Sequence, residues 1–253
     1  MYIHLLYIQL NDKTMKKTLY TADSRGYANH GWLKSYHTFS FANYYNPERI
    51  HFGALRVIND DSVAGGQGFG AHPHDNMEII SIPLSGSLAH KDSTGNEEVI
   101  QTNDVQIMSA GTGLRHSEYN GSKTEAVNFL QIWVFPKERN IQPRYEQKTF
   151  DPAQRVNQWQ TVVSPDKDSG GVWINQDAFF SLATLESGRS LNYTRKLEGN
   201  GLYLFVLEGE VKAAQEVLKR RDAVGLSELG ELTIEATADA QLLLMEVPME
   251  LPS

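Results

Sequence analysis

Two short segments carry side chains that could bind a transition metal. They are HPH at residues 72–74 and HSE at residues 116–118. Residues i and i+2 of a β-strand project to the same face, so each segment aims two candidate ligands in one direction. If the segments lie on neighbouring strands, three imidazoles and one carboxylate converge. That donor set suits Fe(II), Mn(II), Ni(II), Cu(II) or Zn(II) and suits Mg²⁺ or Ca²⁺ poorly.

The sequence around these segments favours ligation over a surface or turn role. A lone H-x-H pair is more often a surface feature, but a second i, i+2 pair shifts the balance. Pro73 lacks an N–H group, which predicts an edge strand or a strand start. The flanks GGQGFGA and AGTGL are rich in glycine, as expected where backbone passes close to a site. No helix follows GGQGFG, so it is not a dinucleotide-binding loop.

Composition restricts the ligand types and the class of protein. The 253 residues include eight His, all before residue 117, and no Cys. Disulfides, Cys-based zinc sites, iron–sulfur clusters and a thiol nucleophile are therefore excluded. A net charge of -8, from 23 basic and 31 acidic residues, argues against direct nucleic-acid binding. No apolar stretch approaches the roughly 20 residues of a membrane span. We predict a cytoplasmic protein that does not bind membranes.

The N-terminus and the strand pattern define the elements that must position the ligands. The opening MYIHLLYIQL lacks the features of a signal peptide, so residues 1–14 are predicted to be an extension, with Met15 as an alternative start. Short runs rich in Val, Ile, Phe and Tyr, separated by Gly, Asn, Asp and Ser, predict an all-β sandwich or barrel. One helix is expected over residues 151–159, capped by Asp151 with Pro152 following. Residues 211–220 also have helical composition, and a helix there is a competing interpretation.

The two halves of the chain share a pattern that indicates duplication. Residues 72–86 and 195–209 are equal in length, and each ends in a predicted strand closing on Gly. Downstream, NDVQIMSAG resembles RDAVGLSELG. We therefore predict two barrels, an N-terminal domain over residues 15–148 and a C-terminal domain over residues 149–253.

The same alignment compares the candidate ligands with their counterparts in the second half. Arg195, Leu197, Ile234 and Ala236 stand at the positions equivalent to the four candidate ligands. None of them is a good ligand for the metals named above. The second barrel is accordingly predicted to be metal-free.

The motifs resemble those of the cupin superfamily and, more closely, the pirin family of bicupins. The first cupin motif, G-x5-H-x-H-x3-E, is matched by Gly66, His72, His74 and Glu78. The end of the second motif, G-x2-H-x3-N, is matched by Gly113, His116 and Asn120. The runs SYHTFSFANYY, HFGALRVINDD and MSAGTGLRHSEYN are similar to pirins as well.

The resemblance implies an all-β bicupin of two antiparallel jelly-roll β-barrels with a few short helices. It implies one divalent transition metal, Fe(II) first and Mn, Ni, Cu or Zn as alternatives. The ligands it implies are His72, His74, His116 and Glu118. Pirins take the carboxylate ligand two residues after the third His, so Glu78 is expected to be structural. His37 and His90 are expected to be hydrogen-bonded supporting groups, and His30 and His51 loop residues.

The activity implied by the resemblance is that of a quercetin 2,3-dioxygenase, which opens the heterocycle of a flavonol with O2. Glu118 would act as catalytic base as well as ligand, accepting the proton of the flavonol 3-hydroxyl group. Family position names Phe69, Leu88 and Gln131 as substrate-lining residues. The alternative is a non-enzymatic, metal-dependent pirin that regulates a transcription factor or metabolic enzyme by binding it.

Overall fold

Antiparallel β-sheet forms nearly all of the regular structure in the computed structural model, which describes residues 15–251. The predicted extension over residues 1–14 lies outside that range. The described chain begins with β1 (Lys16–Tyr20), and its two helical elements are short 3-10 turns, Ala22–Ser24 and Pro152–Arg155. The all-β prediction is confirmed. Between residues 15 and 251 there is no helix long and apolar enough to cross a membrane.

The first barrel consists of a seven-stranded and a four-stranded sheet. The strands of the larger sheet are β2 (Gly26–Asn29), β3 (Leu33–His37), β4 (Leu55–Val63), β6 (Glu78–Ser85), β9 (Asp104–Ser109), β11 (Val127–Val134) and β12 (Arg144–Thr149). Those of the smaller sheet are β5 (Gly68–His74), β7 (Ser87–Asp92), β8 (Glu97–Gln101) and β10 (Leu114–Asn120). The order across the larger sheet is β12-β9-β6-β11-β4-β3-β2, and across the smaller one β5-β10-β7-β8.

The second barrel repeats this arrangement. Its larger sheet is joined by β1 and otherwise contains β13 (Gln160–Ser164), β14 (Val172–Trp173), β15 (Phe179–Leu185), β17 (Asn200–Glu208), β20 (Ala223–Ser227) and β22 (Ala240–Pro248). Its smaller sheet contains β16 (Ser190–Thr194), β18 (Glu210–Ala213), β19 (Glu216–Lys219) and β21 (Glu231–Ala236), in the order β16-β21-β18-β19. That order matches β5-β10-β7-β8 strand for strand, which confirms the duplicated bicupin fold.

One strand at the edge of each larger sheet shows how the barrels are joined. β1 pairs with β20 of the second barrel, although it precedes the first barrel in sequence. β12, which leads into the second half of the chain, pairs with β9 of the first barrel. The first half of the chain therefore contributes its opening strand to the second barrel and keeps its last strand in the first. The domain boundary at residues 148 and 149 stays a prediction from sequence.

The larger sheets of the two barrels pack face to face over a common apolar core. Ile58 and Leu130 of the first barrel belong to the same buried cluster as Tyr203, Phe205 and Leu243 of the second. Burial of apolar surface is the main favourable term in such packing, so this cluster holds the barrels together.

The interior of the first barrel differs from that shared core because a row of polar side chains crosses it. His37 on β3 pairs with Asn59 on β4, Asn59 pairs with Gln131 on β11, and Gln131 pairs with Ser81 on β6. Directly paired residues of adjacent strands face the same side of a sheet. The row faces the smaller sheet, where the candidate ligands lie.

The helix predicted over residues 211–220 is wrong, since this segment is the hairpin β18–β19. Ala214 and Gln215 form its two-residue turn, both with positive φ, as such hairpin turns require. Val211, Ala213 and Leu218 pack into the second barrel's core. Alternation of buried and exposed residues thus outweighs the helical composition of the segment.

The helix predicted over residues 151–159 shrinks to the 3-10 turn Pro152–Arg155. Its predicted cap is confirmed, because the Asp151 side chain accepts a hydrogen bond from the Ala153 N–H at 2.9 Å. Beyond the turn, Asn157 has a φ of 53° and its N–H donates to the Thr184 carbonyl, so a helix cannot continue.

Candidate metal centre and its pocket

Three histidines meet on two paired strands of the smaller sheet. His72 and His74 lie on β5, and His116 lies directly opposite His72 on β10. The ring centroids are 4.4 Å apart for His72 and His116, and 4.9 Å apart for each of the other two pairs. One ligand atom from each ring lies within 4.8 Å of the others. β5 is an edge strand, which confirms the position predicted for Pro73.

The ring nitrogens that face this cluster have no hydrogen-bond partner. Nε2 of His74 and both ring nitrogens of His116 are buried and unpartnered. His72 donates from Nδ1 to the Gly70 carbonyl at 2.8 Å, which leaves its Nε2 unprotonated and available as a ligand. A buried polar atom without a partner costs free energy, and coordination to a metal would remove that cost. The residues present therefore fit a transition metal.

The electrostatics of the cluster keep its two inner imidazoles neutral. Burial, followed by the neighbouring imidazoles, lowers the pKa of His74 to about 4. Burial and the proximity of His72 and His90 lower the pKa of His116 to about 3. A metal ligand must be unprotonated, so both rings are ready to bind at neutral pH.

Glu118 is buried two residues beyond His116, but it approaches a different partner. The register between β10 and β5 shifts between His116 and Glu118, whereas the register between β10 and β7 is continuous. Glu118 lies directly opposite His90 on β7. One ligand atom each from Glu118, His90 and His116 lies within 4.8 Å of the other two. This second set shares His116 with the three-histidine set.

Two side chains of the polar row hold the Glu118 carboxylate. Ser81 donates from Oγ to Glu118 Oε1 at 3.0 Å, and Gln131 donates from Nε2 to Glu118 Oε2 at 3.0 Å. The side-chain oxygen of Gln131, Oε1, in turn accepts a hydrogen bond from the indole N–H of Trp133 at 3.3 Å. Hydrogen bonds to an ionised carboxylate are among the stronger ones, so they fix the orientation of this group.

His90 has a fixed tautomer. Its Nε2 donates to Asp92 Oδ2 at 3.2 Å, and its Nδ1 is buried without a partner. Burial alone would raise the pKa of Asp92, but hydrogen bonds from Thr94, Asn96 and His90 hold it well below the ordinary value. A carboxylate behind an imidazole is the usual support of a histidine at a metal site, and this agrees with the supporting role expected for His90.

A pocket of about 590 Å³ opens beside the cluster and reaches His72 and Glu118. Two of the three predicted lining residues, Phe69 and Gln131, lie on its wall. Leu88 does not. It is 1% exposed and packs with Val63 and Phe129 in an apolar cluster inside the barrel, so it supports the wall from behind.

Most of the pocket wall was not predicted from sequence. It includes Trp32, Phe41, Tyr44 and Trp133, and the Trp133 ring lies 4.9 Å from that of His74 in an edge-to-face arrangement. Aromatic residues are common in β-strands for packing reasons alone, so no pattern in the sequence singled these out.

Asp61 is a further pocket residue that the sequence analysis missed. It accepts a short hydrogen bond from Ser35 Oγ, and burial raises its pKa to about 7. The signal that could have found it is the Asp-Asp pair inside the predicted strand RVINDDSV. Buried carboxyl groups are rare, so a paired one in a strand indicates a site.

The other titratable residues singled out from sequence take different places. Glu78 is buried away from the ligands and accepts from Ser109 Oγ at 2.8 Å and from the Asn175 N–H at 3.2 Å. It bridges the two barrels, consistent with a structural role. His51 Nδ1 donates to the Gly53 carbonyl at 2.8 Å, outside the pocket. His30, expected in a loop, lies exposed at the pocket wall.

The equivalent positions of the second barrel contain no such cluster. Ile234 and Ala236, on β21, are buried in an apolar core beside Leu204 and Leu244. Both groups of potential metal ligands found within residues 15–251 lie in the first barrel.

Two family models match the chain. The model described as Pirin matches residues 19–134, and the model described as Quercetinase C-terminal cupin domain matches residues 161–247. The two matches fall on the two barrels.

Curated relatives and solved structures are similar over almost the whole chain. A protein of Escherichia coli K12 named quercetin 2,3-dioxygenase is 44% identical over 228 residues, which are 90% of this chain and 96% of that protein. A pirin-like protein of Caulobacter vibrioides is 40% identical over 225 residues, 88% and 96% of the two chains. The crystal structure of bacterial pirin YhhW from Escherichia coli in complex with nickel(II) has a TM-score of 0.87 and 42% identity, covering 92% of this chain and 99% of that one.

Proposed function

The chain belongs to the pirin family, and from that premise we propose that it is a metal-dependent dioxygenase that cleaves quercetin-like flavonols with O2. The observation that carries the proposal is the convergence of His72, His74 and His116, the last two with unpartnered buried nitrogens, beside a mainly apolar pocket that reaches His72 and Glu118. Such a site offers both a metal position and room for a flat aromatic ligand.

We propose His72, His74, His116 and Glu118 as the metal ligands. Bound there, a divalent transition metal would act as a Lewis acid and acidify a hydroxyl group of the substrate. The donor set does not select among Fe(II), Mn(II), Ni(II), Cu(II) and Zn(II). The nickel(II) complex of the similar YhhW supports a divalent metal.

Glu118 is the proposed acceptor of the substrate's hydroxyl proton. It lies on the pocket wall, and its two oxygens accept hydrogen bonds from Ser81 and Gln131. The two carboxylate oxygens have four lone pairs together, so with two used by these hydrogen bonds and one by the metal, one remains for the substrate's hydroxyl group. Gln131 lines the pocket, but since its amide is engaged with Glu118 and Trp133, its proposed role is to orient the carboxylate.

The aromatic side chains of the pocket would hold the substrate and exclude water. Phe41 contacts Trp133 edge to face, with ring centroids 5.4 Å apart, and Trp32 contacts Phe69 at 5.3 Å. The two pairs leave a slot whose surface is mainly apolar, suited to the planar rings of a flavonol. Removing water from the slot also strengthens the hydrogen bonds that orient the substrate.

Reconstitution with single metals tests the proposal. The metal-free protein is loaded separately with Fe(II), Mn(II), Ni(II) and Cu(II), and quercetin absorbance and O2 consumption are followed together. At least one form should consume both substrates. Glu118→Gln, which keeps the shape but weakens the base, should abolish turnover while the protein stays folded.

The control is Glu235→Gln, an exposed glutamate on the equivalent strand of the second barrel, which should leave turnover unchanged. If every metal form is inert toward quercetin, the dioxygenase proposal is wrong, and the regulatory alternative takes its place.

A further inference from the structure

β3 and β4 of the larger sheet form a polar wall of the pocket. The next strand of that sheet is β11, which contains Gln131, the residue that holds Glu118. We define the wall by four residues, Ser35 and His37 on β3 with Asn59 and Asp61 on β4, all of which line the pocket. In the strand register His37 pairs with Asn59 and Ser35 pairs with Asp61. All four are 5% exposed or less, so this is a built polar surface inside an apolar barrel.

Hydrogen bonds inside the wall leave specific atoms free toward the pocket. His37 donates from Nδ1 to Asn59 Oδ1 at 2.8 Å, since the amide oxygen can only accept. The neutral ring therefore presents an unprotonated Nε2. Ser35 donates its hydroxyl hydrogen to Asp61 Oδ1, which leaves Asp61 Oδ2 without a partner among residues 15–251. His37 Nε2 is a hydrogen-bond acceptor, and so is Asp61 Oδ2 once the carboxyl is ionised, above its raised pKa of about 7.

Aromatic rings cover the wall and restrict what can reach it. The His37 ring lies 5.3 Å from that of Phe41 and stacks on Tyr44 at 6.4 Å. Phe41 and Tyr44 line the same pocket as His37 and Asp61, so a ligand in the pocket meets aromatic rings beside the His37 end of the wall.

The sheet geometry sets the distance between the wall and the metal centre. Gln131, which holds Glu118, is separated from His37 by two strand spacings, or about 10 Å, whereas Asp61 lies on β4, the strand next to that of Gln131. A flat body of two or three rings with a polar group at each end spans the distance from Glu118 to His37.

We propose that His37 Nε2 and Asp61 Oδ2 accept hydrogen bonds from the distal ring hydroxyl groups of the substrate, which makes the wall the specificity determinant of the pocket. The ligand class is a polyphenol with hydroxyl groups at both ends, and an aromatic compound without distal hydroxyl groups is expected to bind less tightly. This inference rests on the proposed function for its substrate class.

Two ligands that differ only at the distal end test the inference. Quercetin carries ring hydroxyl groups there, and 3-hydroxyflavone has none. Each is titrated into metal-loaded protein at about pH 8, where Asp61 is mostly ionised, and binding is followed by ligand absorbance and by calorimetry. His37→Phe, which keeps a ring but removes the acceptor, should weaken quercetin binding about tenfold, the value of one lost hydrogen bond, and leave 3-hydroxyflavone binding unchanged.

Asp61→Asn is the second variant, because it preserves the shape and the acceptor for Ser35 but turns a donor group toward the ligand. It should show the same selective loss. His51→Phe, a matched substitution outside the pocket, should change neither ligand's affinity. Metal content and 3-hydroxyflavone binding report whether each variant is folded.

Equal losses of affinity for both ligands would show that the wall is merely structural and would overturn the inference. Unchanged quercetin binding in both variants would overturn it as well. Failure of the dioxygenase proposal is a separate result, since it appears as absent turnover by the unsubstituted protein. Binding selectivity is measured whether or not turnover occurs.

Discussion

Replacing Gln131 by leucine isolates the contribution of the polar row to the metal centre. The substitution removes the amide that donates to Glu118 Oε2 at 3.0 Å and the oxygen that accepts from the Trp133 indole. A hydrogen bond to a charged group contributes about 1.5–3 kcal/mol. At about 1.4 kcal/mol for each factor of ten, the loss corresponds to roughly 10- to 100-fold weaker metal binding, the range seen for groups that support metal ligands.

The assay is a competition titration of Ni(II) or Zn(II) against a chelator of known affinity, with the Gln131→Leu variant and the unsubstituted protein in parallel. The barrel provides a matched control in Gln106→Leu. Gln106 is buried, and it belongs to the same row, since it pairs with Ser81 on the side opposite Gln131. Its amide nitrogen has no hydrogen-bond partner.

Gln106→Leu should leave metal affinity unchanged and should not destabilise the fold, because it removes a buried amide nitrogen that is already unpaired. Equal metal affinity in the Gln131→Leu variant and the unsubstituted protein would refute the assignment of Glu118 as a ligand oriented by the row. An equal loss in both variants would show that any polar residue of the interior affects the centre nonspecifically.

Three further predictions concern the stability of the fold and of the centre. Asp60→Ala should lower the free energy of unfolding by about 3–5 kcal/mol in urea denaturation, because it removes the buried carboxylate that pairs with the two buried guanidinium groups of Arg25 and Arg221. The amount of metal retained on dialysis should be nearly constant from pH 7 to pH 5 and should fall toward pH 4. The pKa values of His74 and His116 in the folded protein are about 4 and about 3, so both rings are unprotonated at pH 5 and above. Gly209→Ala should destabilise by about 3 kcal/mol or more, since φ is +87° and the added Cβ would lie 2.0 Å from the Asp239 carbonyl oxygen.

Controls for these variants come from the same chain. Asp177→Ala breaks the exposed ion pair with Lys137 and should cost less than about 1 kcal/mol. Gly170→Ala also has a positive φ, of +83°, but nothing lies within 4 Å of the added Cβ, so it should cost only about 1–2 kcal/mol. Matching losses within either pair would contradict the reasoning. Metal loss already complete at pH 6 would contradict the depressed pKa values.

Much of the architecture was predictable from local pattern. The i, i+2 spacing of His72 and His74 placed both on one face of a strand, and Pro73 placed that strand at a sheet edge. Gly86 and Gly209, both with positive φ, mark the same turn in the two barrels and make the duplication visible. Strand alternation and turn residues are local properties, so the sequence displays them directly.

Helical composition was the part of the local pattern that misled. VKAAQEVLKR contains good helix formers, yet Val211, Ala213 and Leu218 face the core on a hairpin. Propensity contributes a few tenths of a kcal/mol per residue, whereas each buried apolar side chain contributes more, so the tertiary environment decided the outcome.

The sequence by itself therefore determined the ligand types, the absence of thiol chemistry and the restriction of histidine to the first half of the chain. Only the tertiary structure decided how those groups are shared. The shift of register beside β5 turns Glu118 toward His90 and leaves the three histidines as a separate set. The tertiary structure also brings Asp61, His37 and Gln131, from three different strands, together on the wall of one pocket. Spacing along a chain predicts which face a side chain takes, but pairing between distant strands sets which side chains meet.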